Sequence, residues 1–345
     1  MTHSDPRGAR LALALPDGPP AGRIAAFAPR AGEDLSALGS EVEILTHWRP
    51  DADAFAARGL TTRRSPEGRY AAALVCLPRA RAAARDLVAQ ALAVTDGPVL
   101  IDGQKTDGIE GILREARSRA PVGEPVTKAH GKLFTLSGAD RAAFADWAVP
   151  PHRTAEGFLT RPGVFSADGP DPGSQALAAV LPERLPPRIA DLGAGWGWLA
   201  AQILARPGVE ELHLIEADAT ALDCARENIP DPRARLHWAD ATSFTPEAPL
   251  DAIITNPPFH AGRAADPTLG TAFIAAAARM LTPQGTLWLV ANRHLPYEAP
   301  LEQAFREVEP LPSAPAFKLF RARAPRPAAK RSVTHGTRRR HGSPA

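Results

Sequence analysis

The chain has 345 residues, 44% hydrophobic and 23% charged, with a formal net charge of +2; that is enough apolar material for sizeable cores and a length that suits two domains. No apolar run approaches the roughly 18 residues of a membrane span, and no basic-then-apolar signal pattern opens the chain, so no membrane partner is expected. The only cysteines, Cys76 and Cys224, are far apart and offer neither metal spacing nor a disulfide framework, which fits a reducing cytoplasm and no metal.

Strand and helix signals alternate through the first half. Residues 23–28, 41–45, 71–76, 98–101 and 132–136 read as strands, and 80–93, 109–116 and 139–147 as helices. Such alternation means a mostly parallel sheet covered by helices. After the first strand stands Pro29-Arg30-Ala31-Gly32 rather than a Gly-x-Gly turn, and there is no Asn-Pro-Pro turn in this half. A proline-rich break, Val149-Pro150-Pro151-His152-Arg153, separates it from the second half. The alternation then restarts, with helices expected at 175–181, 197–205, 219–228, 268–281 and 297–305. Strands are expected at 188–192, 211–216, 234–238, 251–255, 285–291, 306–309 and 316–321. This pattern implies two α/β domains, the first reading as a worn copy of the second.

The strand at 188–192 runs into Gly193-Ala194-Gly195-Trp196-Gly197. A glycine turn lets backbone amides approach a ligand closely and aims a helix N-terminus at it. The dinucleotide fingerprint needs a glycine where Trp198 stands. Three acids close successive strands: Asp191 before the turn, Glu216 after the second strand and Asp240 after the third. Ligands of open α/β sheets bind beyond the carboxyl ends of the strands, and an acid at Glu216 suits ribose hydroxyls. Asp191, Gly193, Gly195, Glu216 and Asp240 are therefore the candidate cofactor residues.

The fourth strand of this half ends in Asn256-Pro257-Pro258-Phe259. An exocyclic amino group conjugated to a ring is a poor nucleophile, and methylation builds positive charge on its nitrogen. Preplaced oxygens, the Asn256 amide and the Pro257 carbonyl, stabilise that charge and align the lone pair. Two prolines stiffen the turn, and Phe259 offers a stacking face. Asn256, Pro257 and Phe259 are the candidate catalytic residues; Phe259, His260 and Arg263 are the candidate substrate contacts. The turn alone leaves adenine N6, guanine N2 and protein glutamine N5 open.

Residues 321–345 carry eight Lys or Arg and no acid, so the rest of the chain is at −6. Such a tail reads either as a phosphate-seeking arm or as a disordered, solubilising one.

One ordered set of segments carries a wider resemblance: Arg161-Pro162-Gly163-Val164-Phe165-Ser166, Asp171 with Gly173-Ser174, the glycine turn, Asn256 to His260, Ala291 to Glu298, and Phe317 to Ala322. It resembles the RsmC-like small-subunit (16S) ribosomal RNA guanine-N2 methyltransferases, specifically over about 155–323. Over 1–150 the likeness is looser, with Ile101 to Gly108 the best match. The resemblance implies two tandem methyltransferase-like (Rossmann-like) domains, the C-terminal one with a mostly parallel seven-stranded sheet and an antiparallel last strand. Residues 1–150 would be the degenerate domain supporting fold and RNA binding, 155–323 the catalytic S-adenosylmethionine-binding domain, and 324–345 a basic tail. Asp191 would support the methionine end of S-adenosylmethionine, Glu216 the ribose and Asp240 the adenine amino group. The implied substrate is 16S rRNA of the small ribosomal subunit, acted on by a monomeric cytoplasmic enzyme. The rivals are the large-subunit (23S) guanine-N2 enzymes, protein glutamine N5 methylation, and an RNA-binding assembly module without activity. Ala261, where the familiar pattern often has an acid, is a departure, as is the tail.

Overall fold

The computed structural model describes residues 5–258, 260, 261, 264, 265, 267–313 and 315–327. The first sheet comprises β1 (Ile24–Phe27), β2 (Val42–Leu45), β3 (Thr62–Arg63), β4 (Ala72–Cys76), β5 (Val99–Gln104), β6 (Val126–Lys128) and β7 (Gly131–Leu136), in the order β3-β2-β1-β4-β5-β7-β6. A short hairpin, β8 (His152–Arg153) and β9 (Leu159–Thr160), links it to the second sheet. There the chain runs β10 (Arg188–Leu192), β11 (Glu211–Glu216), β12 (Ala234–Trp238) and β13 (Leu250–Thr255). A two-stranded pair comes next, β14 (His260–Ala261) with β15 (Ala264–Ala265), and then β16 (Leu281–Asn292), β17 (Phe305–Leu311) and β18 (Phe317–Pro325). The order in the sheet, β12-β11-β10-β13-β16-β18-β17, repeats that of the first. In each sheet the last strand in chain order, β7 or β18, is antiparallel to both its neighbours.

Nine α-helices are present among the described residues: α1 (Pro6–Ala14), α2 (Arg49–Ala57), α3 (Arg81–Val94), α4 (Ile109–Arg117), α5 (Pro172–Val180), α6 (Trp198–Leu204), α7 (Ala219–Asn228), α8 (Pro267–Met280) and α9 (Glu298–Ala304). The central strands are apolar on both faces because helices cover both. Thus Leu250 and Ile253 of β13 pack with Phe273 and Ala277 of α8, while Ala252 and Ile254 pack with Leu199 and Ile203 of α6.

The register shows how close the two halves are. Phe27 pairs with Leu45 and Val75; Leu192 pairs with Ile215 and Thr255. Counted from those pairs, Ala28 stands where Gly193 does, and both keep a left-handed backbone, φ 53° and 74°. Their amides donate to the equivalent carbonyls, Leu45 and Ile215, at 2.8 and 2.9 Å. The same count puts Ala26 in place of Asp191, Thr46 in place of Glu216 and Cys76 in place of Asn256. The first domain keeps the backbone of the first turn residue only, since Arg30 and Gly32, in place of Gly195 and Gly197, lack the positive φ, and it has neither the acids nor the asparagine.

The sequence expectations missed α2, β3, β6 and the short pairs β8-β9 and β14-β15, and three further segments depart from them. α1 has no counterpart among them, because its buried face is Leu11 with Arg7 and Arg10; Asp102 on β5 accepts from Arg10 at 2.5 and 2.9 Å. Residues 141–147 form a 3-10 helix, not an α-helix. Its three-residue period points Phe144 and Trp147 the same way, into one edge-on buried pair. The basic run counted from 321 starts too early. Arg321 and Arg323 lie in β18, paired with Glu309 and Glu307, and the Arg326 amide donates to Ala304. Residues 328–345 lie outside the described residues.

Candidate active site

The strand order reverses between β10 and β13, which opens a crevice at their carboxyl ends. The glycine turn ends the first of these strands and Asn256 follows the second. Thr255 Oγ1 donates to the Leu192 carbonyl at 2.7 Å and ties the two ends together. Gly193, Gly195 and Gly197 all take positive φ, 74°, 55° and 91°, where an L side chain is strained. A Cβ on Gly195 would meet nothing within 4 Å, so its face is open to a ligand. Phe165, Asp171, Ser174, Gly193, Gly195, Trp196 and Asn256 are among the walls of the cleft above the turn. Trp196 donates its indole N–H to the Phe165 carbonyl at 3.0 Å, while the Phe165 ring is 61% exposed at the mouth.

The three acids stand at the ends of β10, β11 and β12, as the sequence expects. Asp191 is 1% exposed and neither of its oxygens has a partner. Burial, reinforced by the nearby Glu216 charge, pushes its carboxyl up to about 8. A cationic amino group is the partner such a site lacks. Glu216 Oε2 accepts from the Gly195 amide and Oε1 from the Asp218 amide, each at 2.8 Å. Burial raises it to about 7 against the pull of those amides. Each oxygen retains a lone pair for a hydroxyl donor. Asp240 Oδ1 is taken by the Thr242 amide and hydroxyl at 2.8 and 2.7 Å, which leaves Oδ2 to a ligand amino group. Glu216 and Asp240 lie outside the walls of the cleft proper, farther along the crevice.

Asn256 has a defined orientation. Its Nδ2 donates to Asp171 Oδ2 at 2.8 Å and to Ser174 Oγ at 2.9 Å. Its Oδ1 is buried without a partner. Pro257 is buried behind it. Phe259 and Arg263 lie outside the described residues, and of His260 only the backbone is described, paired with Ala265.

The unpartnered amide oxygen of Asn256 beside the glycine turn can accept from an N–H donor, and the buried Asp191 can pair with a cationic group. The family described as Methyltransferase small domain matches residues 156–321. The ribosomal RNA small subunit methyltransferase C of Shewanella sp. strain MR-4 is 29% identical over 301 residues, 84% of this chain and 87% of that protein. Its counterpart in Shewanella oneidensis is 30% identical over 267 residues, 74% and 77% of the two chains. The chain belongs to the ribosomal RNA small subunit methyltransferase C family. A solved structure agrees: the 16S rRNA N2 methyltransferase of T. thermophilus, in complex with AdoMet and guanosine, is similar with a TM-score of 0.77 and 28% identity. The match covers 93% of this chain and 92% of that one.

In this methyltransferase the first domain packs against the second beside Glu216 and Asp240. The Arg49 amide donates to Ala217 and the Ala219 amide to His47, at 2.8 and 2.9 Å, a small antiparallel bridge directly after Glu216. Trp238, two residues before Asp240, donates its indole N–H to both the His47 and Ala217 carbonyls. The guanidinium groups of Arg49 and Arg64 lie over its ring, and Arg64 also pairs with Asp223. Trp238 and Asp218, which stand beside the candidate acids Asp240 and Glu216, were not singled out from the sequence. Their signal was adjacency to Asp240 and Glu216, but the bridge at Asp218 and the His47 carbonyl on Trp238 come from the other domain. In the first domain Arg63 pairs with Glu43 and Glu67, and Arg81 with Glu115.

Proposed function

We propose that the protein transfers a methyl group from S-adenosylmethionine to the exocyclic N2 amino group of a guanine in 16S rRNA. The observation that carries this is the unpartnered Oδ1 of Asn256 beside the glycine turn. When bound, S-adenosylmethionine supplies an electrophilic methyl group on a sulfonium sulfur. Asp191 would hold its amino group, Glu216 its ribose and Asp240 its adenine. The orphaned Asp191 carboxylate fits that ammonium, since a buried charge is costly until it is paired.

Asn256 Oδ1 and the Pro257 carbonyl accept the two hydrogens of the guanine amino group. That contact turns the nitrogen lone pair out of conjugation and stabilises the positive charge that grows on nitrogen, in a site where fixed dipoles need no reorganisation. Phe259 stacks on the base, and His260 and Arg263 contact the substrate. The guanine must leave its stack to reach Asn256, at a cost of a few kcal/mol when it is paired. The first domain braces the cofactor loops and contributes to RNA binding. We place the enzyme in the cytoplasm as a monomer.

Nucleoside mass spectrometry of 16S and 23S rRNA from a deletion strain tests the reading. Loss of N2-methylguanosine from the 16S fraction is expected. A loss confined to 23S rRNA moves the protein to the large-subunit enzymes, and no loss from either sinks the proposal.

A further inference from the structure

We propose that Asp171 and Ser174 are positioning residues for this reaction: they fix the Asn256 carboxamide with its oxygen turned toward the reacting amino group. The inference rests on the role given to Asn256 above. Both hydrogens of Asn256 Nδ2 are used, one by Asp171 Oδ2 at 2.8 Å and one by Ser174 Oγ at 2.9 Å. Oδ1 is left buried and unpartnered. The two ends of a carboxamide are nearly alike in shape, so packing alone does not choose between them. A carboxylate only accepts. Turning the amide over would set two acceptor oxygens against each other and face two donors toward the N–H groups of the substrate. Asp171 therefore selects the one orientation that can take a hydrogen from the amino group. Its charge also polarises the amide through the hydrogen bond, which strengthens the carbonyl oxygen as an acceptor.

The local sequence builds this arrangement. Asp171 caps α5 by accepting from the Ser174 amide at 2.9 Å, which fixes its carboxylate. Gly173 leaves the space: a Cβ there would stand 2.9 Å from Asp171 Oδ2 and 3.2 Å from the Phe317 ring. Ser174 then lies one turn into the helix with its hydroxyl on the same amide. The segment Asp171-Pro172-Gly173-Ser174 is in this way a seat for a side chain more than eighty residues away.

The test is a double-mutant cycle on the full chain with small-subunit rRNA and S-adenosylmethionine, at single turnover with excess enzyme. Asn and Asp cap helices about equally well, so Asp171→Asn spares α5 but replaces the acceptor-only group with an uncharged, two-faced one. A fall in the methyl-transfer rate of about 10- to 100-fold is expected, with roughly 3- to 10-fold for Ser174→Ala. Cofactor Kd and RNA KM should stay within about twofold. In an Asn256→Ala background Asp171→Asn should cost less than about twofold, because no amide remains to be oriented. Wild-type rates in both single variants, or equal losses in the two backgrounds, would overturn the proposal; the latter would mark Asp171 as a helix cap alone. A readout without turnover separates this from failure of the functional reading. The Asn256 side-chain amide protons, followed by ¹⁵N NMR, should exchange slowly in the wild type and faster in Ser174→Ala. Equal, fast exchange in both proteins contradicts the orientation even if no RNA is methylated.

Discussion

Replacing Asp191 with asparagine should stabilise the ligand-free protein while weakening its grip on S-adenosylmethionine. Asp191 is 1% exposed, with both oxygens unpartnered, and burial lifts its carboxyl from 3.8 to about 8. At pH 7 the folded chain holds a proton there that the unfolded chain has released. That mismatch of roughly 3 pH units corresponds to about 4 kcal/mol lost from folding. Asparagine has no such mismatch, although its own unpartnered amide keeps a desolvation cost of about 1–3 kcal/mol. The net gain is therefore about 1–3 kcal/mol at pH 7. The sign with pH follows from the folded value lying above the unfolded one. The wild type has its full stability below about 3.8 and loses it progressively as pH rises toward 8. The advantage of the variant should grow across that window, and it should vanish and then reverse as pH falls through about 6 to 4.5, where the mismatch shrinks to the roughly 1–3 kcal/mol cost of the amide. Urea unfolding of both proteins at pH 4.5, 7 and 8 measures this, and calorimetry with S-adenosylmethionine measures the loss of affinity. A variant less stable at pH 7, or a gain independent of pH, would refute the account of Asp191 as an orphaned acid awaiting a cation.

The same acids make cofactor affinity pH-dependent: Asp191 and Glu216, raised to about 8 and 7, must ionise to hold a cation and donors, so affinity should rise from pH 6 to 8.5 by calorimetry. Asn256→Ala should leave cofactor Kd within about twofold and lower kcat by roughly 10²- to 10³-fold; equal loss of both would make Asn256 a wall of the cofactor pocket. Gly270→Ala should destabilise by about 1–3 kcal/mol or more in thermal unfolding, since a Cβ there would fall 1.8 Å from the hydroxyl of the fully buried Tyr297. Removing residues 328–345 takes away five Lys or Arg without touching β18. The log–log salt slope of RNA affinity should flatten by at most about 4, and an unchanged slope makes the tail a solubility device.

Much of the fold was legible because buried parallel strands are continuous apolar runs, and Ile189-Ala190, Leu212 to Ile215 and Ala252 to Ile254 are such runs. The acids and Asn256 were legible because a strand end followed by a ligand-facing residue is a local pattern. What escaped had no local signature. α1 is held by ion pairs of Arg7 and Arg10 with Asp102, more than ninety residues away. Trp238 owes its setting to His47, Arg49 and Arg64 across the domain interface. Asp171 and Ser174 stood within a recurring motif, but their purpose shows only when the chain brings Asn256 to them. Ala28 is the converse case. Its left-handed backbone matches that of Gly193, a likeness that the sequence, with alanine there, conceals.

Methyl transfer to a defined nucleoside in a reconstituted reaction decides whether Asn256 serves guanine-N2 methylation of 16S rRNA. Purified wild-type and Asn256→Ala proteins are given methyl-labelled S-adenosylmethionine and rRNA from a deletion strain, and the products are digested and separated. Label in N2-methylguanosine of 16S rRNA, made by the wild type and nearly absent with the variant, is the expected result. Label on another nucleoside, on 23S rRNA alone, or at equal rates from both proteins would contradict it.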